Sequence, residues 1–326
     1  MQSPSFPRTR LVLAAVLFST GGAAIKSAAF TGWQVASFRS GVAALVLLLF
    51  LPEARRGWTW RAAVVGIAYA ATLILYVLAN RLTTSANTIF LQSTAPLYLL
   101  LFGPWLLHEP VRPRDVALMA LVALGLAMFF VAGQEPLATA PDPARGDLLA
   151  ALSGVTWALT VVGLRWMAAS EPGPDAQAYR AVAASGVARV RTARGGESAL
   201  AAVVVGNVIA CAAALPLALP VAPHAAPDWL VIIYLGAIQI GLAYVFVTSA
   251  LRAVPAFTAS MILLVEPALN PLWTWVLEGE VPGAWALVGG AVILGATAAK
   301  TWLDSRKETA LDMGARPPEP CPPTAA

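Results

Sequence analysis

The sequence predicts an all-α membrane protein of ten transmembrane helices, built as two inverted repeats of five. Three observations predict it. Of 326 residues, 59% are hydrophobic and only 12% are charged, where a soluble domain carries about a quarter charged residues. The apolar runs are long enough to cross a hydrocarbon core of about 30 Å, which takes roughly 20 helical residues. A second copy of the first half's rare-residue pattern also returns in the second half.

The ten runs are Leu11–Ala29, Trp33–Leu51, Ala62–Asn80, Ala86–Leu107, Val116–Ala132, Leu148–Trp166, Leu200–Leu219, Trp229–Ala250, Ala256–Leu277 and Gly283–Trp302. Backbone polar groups in lipid must pair within the segment, which leaves helices or closed barrels, and barrel strands would alternate polar and apolar residues. These runs do not alternate. The first run, preceded by Arg8 and Arg10, resembles a signal peptide by itself. Nine further spans make it a first span instead. Basic residues orient the set. With the N-terminus in the cytoplasm, the cytoplasmic segments hold most of the 21 Lys and Arg. Among these are Arg55, Arg56, Arg61, Arg112, Arg114, Arg180, Arg189, Arg191, Arg194, Lys300, Arg306 and Lys307. The other side holds Arg81 and Arg145, and Lys26 and Arg39 lie within spans. The expected location is the cytoplasmic (inner) membrane, with both termini cytoplasmic. The polar, Pro-rich stretch 303–326 is expected to be a disordered cytoplasmic tail.

The repeat rests on Arg81, Pro96 and Glu109, which fall on Arg252, Pro267 and Glu280 after one constant shift. One residue of slippage then aligns Asp115–Gly125 with Trp285–Gly295, and Lys26 closes the first span as Arg165 closes the sixth. Repeat one is expected at 11–132 and repeat two at 148–302. Five is odd, so the second copy enters the membrane from the other side, an arrangement suited to alternating access around a central site.

Each half ends in a proline-centred helix, a Glu break and a Gly-rich helix. The strings are "FLQSTAPLYLLLFGPWLLHEPVRPRDVALMALVALGLA" from Phe90 and "ILLVEPALNPLWTWVLEGEVPGAWALVGGAVILGA" from Ile262. With "FRSGVAALVLLLF" from Phe38, they resemble the EamA domain pair of the drug/metabolite transporter superfamily. The resemblance covers Leu11 to Trp302 and implies a membrane transporter without naming its solute. His108 departs from it, standing where the family has glycine before the glutamate. The long Arg-rich stretch Glu171–Ser198 departs too, and could meet anionic headgroups.

A charge inside lipid is costly, so a mid-span ionisable residue is a functional candidate. Glu266 is the only acidic residue deep in an expected span. Pro267 follows it and loosens the helix. Asn270, Trp273 and Thr274 share its face, and the pseudo-equivalent helix carries Thr88 and Gln92. The third span adds Tyr69, Thr72, Tyr76 and Asn80, and the eighth adds Gln239, Tyr244 and Thr248. Glu266 either lines the pathway, binding a substrate amine or taking up a proton as coupling ion, or locks two helices together as a bonded side chain. Arg39, about 9 Å inside its helix end at 1.5 Å per residue, is expected to face inward towards Glu266 or a substrate carboxylate. Lys26 is near enough to its span end to snorkel to the interface, or else it lines the pathway. Trp157 is a cavity wall or a packing residue. Trp33, Trp58, Trp60, Trp229 and Trp302 read as an interfacial belt. Gly289, Gly290 and Gly295 read as close helix packing.

Other classes are disfavoured. No G-x-x-x-x-G-K-[ST] motif is present. His108 and His224 lie far apart without a ligand cluster, so no metal or cofactor is expected. No basic run interleaves with aromatics, so nucleic acid is not an expected partner. No paired carboxylates lie in a span, which argues against an enzyme. The expectation is a secondary transporter that exports a small organic solute, an amino acid, related metabolite or drug. The alternatives are a non-transporting membrane sensor and, behind it, a membrane-embedded enzyme.

Overall fold

The computed structural model describes residues 5–95, 97–98, 101, 113–131, 135–169, 195–251 and 262–314. Among them the chain is helical, apart from turns and one isolated bridge between Leu137 and Ala140. The helices are α1 (Ser5–Ser19), α2 (Gly21–Ser27), α3 (Gly32–Phe50), α4 (Trp60–Leu82), α5 (Ser85–Gln92), α6 (Pro113–Val131), α7 (Pro143–Ala169), α8 (Gly195–Ala218), α9 (Ala226–Ile233), α10 (Ala243–Leu251), α11 (Val265–Glu278) and α12 (Ala284–Gly314). A π-helical stretch, Tyr234–Leu242, joins α9 to α10.

Local chemistry sets many of the ends. Thr31 and Gln34 form a reciprocal capping box at α3, with Thr31 N donating to Gln34 Oε1 at 3.0 Å and Gln34 N donating to Thr31 Oγ1 at 3.3 Å. Thr59 and Thr84 cap α4 and α5 through their hydroxyls. Asp142 accepts from Arg145 N ahead of Pro143, so α7 starts earlier than the apolar run alone suggests. At the break between α1 and α2, Ser19 Oγ and Thr20 Oγ1 donate to carbonyls one turn back, each at 2.7 Å, an arrangement that bends helices. Gly279, left-handed at φ 66°, closes α11.

Among the described residues six helices are long and apolar enough to cross a membrane: Arg8–Ser27, Gly32–Phe50, Trp60–Leu82, Pro143–Leu164, Ala199–Ala218 and Ala226–Val247. Val116–Phe130 and Ala284–Ala299 are shorter apolar helices. The expected runs Ala86–Leu107 and Ala256–Leu277 are described only in part, as α5 and α11. Residues 170–194, most of the Arg-rich stretch, lie outside the described residues, as do Pro96, Glu109 and Arg252. The tail departs from expectation. Helix α12 runs on to Gly314, because Lys307, Glu308, Ala310 and Leu311 are good helix formers. Residues 315–326 lie outside the described residues.

Packing follows the repeat. Helix α4 packs on α7 as α10 packs on α1, and α5 packs on α7 as α11 packs on α1. Helix α4 meets α8 as the π stretch meets α3, while α3–α8 and α6–α12 map onto themselves. These contacts are preserved when each span is exchanged for the one five places along. Large apolar side chains such as Leu45, Phe50, Ile67, Leu124, Leu230 and Val276 face outward, the pattern of a surface solvated by lipid. Trp58, Trp60, Trp229 and Trp302 are exposed near helix ends, as a belt requires.

Glycine marks the closest approaches. A Cβ on Gly22 would overlap Ser85 Oγ and come within 2.6 Å of Asn270 Oδ1. Gly289 meets Phe129 and the Gly125 carbonyl, and Gly290 meets Phe90. A Cβ on Gly295 would meet nothing within 4 Å among the described residues. Overpacking costs about 1–3 kcal/mol, more than the roughly 1 kcal/mol that alanine gains over glycine in a helix. Gly22→Ala should therefore lower the thermal stability of the detergent-solubilised protein. An unchanged melting curve would contradict the contact between α2 and α5.

Candidate transport site

Asn270 organises the interior. It is fully buried on α11. Its Oδ1 lies 2.8 Å from Ser85 Oγ at the start of α5, and Ser85 Oγ lies 2.9 Å from Asn80 Oδ1 on α4. Asn270 Nδ2 donates to Tyr76 Oη at 3.3 Å. Three helices from both halves thus share one polar cluster at the place that Gly22 leaves open.

A second cluster is aromatic. Tyr69 Oη and Tyr244 Oη are 2.9 Å apart, linking α4 to α10. The Trp157 ring stands 6.2 Å from that of Tyr69, and the Phe18 ring stands 5.5 Å edge-on from that of Tyr244. Thr72 Oγ1 donates to Thr156 Oγ1 at 2.9 Å beside them.

Glu266 sits in the first turn of α11, half-buried. A turn at Leu264 interrupts the helix just before the Glu-Pro pair, and a turn at Ser93–Thr94 interrupts the pseudo-equivalent helix at the matching place. Discontinuous helices of this kind put backbone dipole ends at membrane depth. Glu266 has no hydrogen-bond or ion-pair partner among the described residues. Its charge reaches Tyr69, Tyr76 and Tyr244. Arg39, 2% exposed, donates Nη2 to Leu73 O at 3.2 Å, and its Nε has no partner among the described residues. Tyr69 and Tyr76 feel the charge of Arg39 as well. No ion pair among the described residues joins Arg39 to Glu266; the cation instead leans on the α4 backbone.

The structure therefore gathers Glu266, Asn270, Tyr76, Tyr244, Trp157 and Arg39 around the tyrosines. The remaining candidates lie elsewhere. Trp273 donates Nε1 to Ser19 Oγ at 2.8 Å, tying α11 to the break after α1. Gln92 ends α5, half-buried, with its backbone carbonyl against Gly154 of α7. Lys26 does not snorkel. Its side chain is 3% exposed, and Nζ lies 2.9 Å from Glu280 Oε2. Glu280 stands just past the end of α11, at the helix boundary, and is folded back to 4% exposure.

Asp147 was missed. It is 3% exposed and accepts from Thr83 Oγ1 at 2.6 Å and from Asn87 Nδ2 at 2.9 Å. It fell one residue before the expected span, and only the Asp142 cap signals the earlier start. Among the described residues no group of three His, Cys, Asp or Glu could hold a metal ion.

Comparison with known proteins bears on this arrangement. The model of the EamA-like transporter family matches residues 10–131 and again residues 181–300. The chain belongs to the EamA-like transporter family. A solved crystal structure of a protein covers 93% of this chain and 99% of its own length, with a TM-score of 0.52 and 21% identity, and so shares the fold. No curated protein sequence shows significant similarity. This EamA-like protein is a multi-pass membrane transporter of the drug/metabolite type, and the polar cluster lies among its helices.

Mutating the tyrosine pair tests the aromatic cluster. Tyr69→Phe and Tyr244→Phe should each destabilise the transporter, with a coupling energy of about 0.5–1.5 kcal/mol in a double-mutant cycle of thermal or denaturant stability. Strict additivity would mean that the two hydroxyls do not meet.

Proposed function

We propose that this protein is a secondary transporter that exports a small organic solute, an amino acid, related metabolite or drug, across the cytoplasmic membrane by alternating access. One observation carries the reading. A carboxylate without a partner among the described residues, Glu266, stands at a helix break one turn from the fully buried Asn270. An ionisable group at membrane depth normally keeps a partner, so a carboxylate with none among the described residues invites one from solution. On this reading Glu266 receives the amine of the solute or a proton that couples export to the proton gradient. The aromatic faces of Tyr69, Tyr244 and Trp157 suit an ammonium group. Arg39, whose Nε has no partner among the described residues, receives an anionic group of the same solute, and Asn270 and Tyr76 supply neutral hydrogen bonds.

The repeats at 11–132 and 148–302 are the two halves that move against each other, with the N- and C-termini in the cytoplasm. The exchange-symmetric packing supports this, because a five-span swap relates two states of one scaffold. A sensor or an enzyme built on the same helices would show no solute flux.

Reconstituted protein provides the test. Glu266→Gln should lower efflux of labelled amino acids and amines by about tenfold or more, the equivalent of roughly 1.4 kcal/mol, at unchanged yield of folded protein. Wild-type flux from that variant at every pH would remove Glu266 from the mechanism. Reporter fusions at both ends should read out as cytoplasmic, and an external signal from either would overturn the orientation.

A further inference from the structure

The Lys26 end of the bundle is held by one dry ion pair that joins the two halves. Lys26 ends α2 in the first half. Glu280 follows α11 in the second half. Their side chains are 3% and 1% exposed and their charged atoms are 2.9 Å apart. Lys26 Nζ also donates to the carbonyls of Thr83 and Thr139, and Glu280 Oε1 accepts from Ser85 N at the start of α5. Arg81 Nη1 reaches the carbonyls of Ile25, Lys26 and Ala28, each at 3.1 Å, fixing the end of α2 beside the pair. Three connections, after α4, α6 and α11, thus converge with the end of α2 on two side chains. Directly beneath stand Ser85 and Asn270, the top of the interior polar cluster.

Apolar side chains would hold such a seam more firmly. Desolvating two charges is costly, and their mutual attraction offsets that cost only in part. When the seam parts, both charges regain water. A dry ion pair therefore keeps the closed and open arrangements close in free energy, as a moving part requires.

We propose that Lys26–Glu280 is a reversible latch that closes the Lys26 end of the transporter, the extracytoplasmic end in the proposed topology, and that it must open in each cycle. The latch rests on the transport reading, so its test reads access directly rather than flux.

The full chain, with Cys211→Ser and Cys321→Ser, carries Thr274→Cys as reporter. Thr274 is 1% exposed, and its carbonyl accepts from Glu280 N at 3.3 Å. An impermeant thiol reagent should label it slowly, and about tenfold faster once Glu280→Gln or Lys26→Met breaks the pair. The apolar pair Lys26→Met with Glu280→Leu should restore slow labelling and slow transport, an effect that a merely structural pair would not produce. Equal labelling rates in folded single variants overturn the latch. If the single variants do not fold, Lys26→Cys with Glu280→Cys joined by a reducible cross-linker replaces them. Amide exchange over 83–87 should then slow about tenfold and recover on reduction, and unchanged exchange overturns the latch. Absence of flux from the wild type would strike the transport reading alone and leave labelling to decide the latch.

Discussion

Hydrocarbon offers no hydrogen bonds, and this constraint orders the whole molecule. Any polar group carried into it must find a partner inside the protein. Asn80, Ser85 and Asn270 find one another, Trp273 finds Ser19, and Asp147 finds Thr83 and Asn87. Each pairing fixes a distance between two helices, so the polar interior sets the register of an otherwise uniform apolar bundle. In water the same groups would be satisfied by solvent and would specify little. In lipid each such pairing adds specificity to the helix packing.

Much of this was legible in the sequence, because apolar length and rare residues survive as patterns. The helices α3, α4 and α8 lie where the apolar runs place them to within a few residues, and the stripe from Glu266 to Thr274 occupies one helix as its spacing requires. Pro267 marked the helix break. The failures share one cause: a periodic pattern gives a face but not a partner. Nothing local to Lys26 indicates that a loop some 250 residues later folds Glu280 against it, and a snorkelling lysine has the same sequence as a buried one. Asp147 escaped because a cap, not hydrophobicity, starts its helix.

The two halves also divide their labour unequally. The first contributes Arg39, Tyr69 and Tyr76, while the second contributes Glu266 and Asn270, so the central charges of opposite sign come from different repeats. The Glu-Pro pair of the second half has Ala95 and Pro96 as its counterpart in the first. Duplicated architecture thus carries a single, unduplicated acid, and the pseudo-symmetry of the frame is broken where chemistry is needed.

The widened coil at Tyr234–Leu242 has a consequence of its own. A π turn accommodates one residue more than an α turn, and one residue corresponds to about 100° of rotation at 3.6 residues per turn. Everything downstream of Leu242, Tyr244 included, is therefore dialled round by the surplus. Shortening the chain by a single position there would leave the segment apolar and still long enough to span. It would also swing the tyrosine out of line with Tyr69, so this aromatic contact depends on residue count as much as on residue identity.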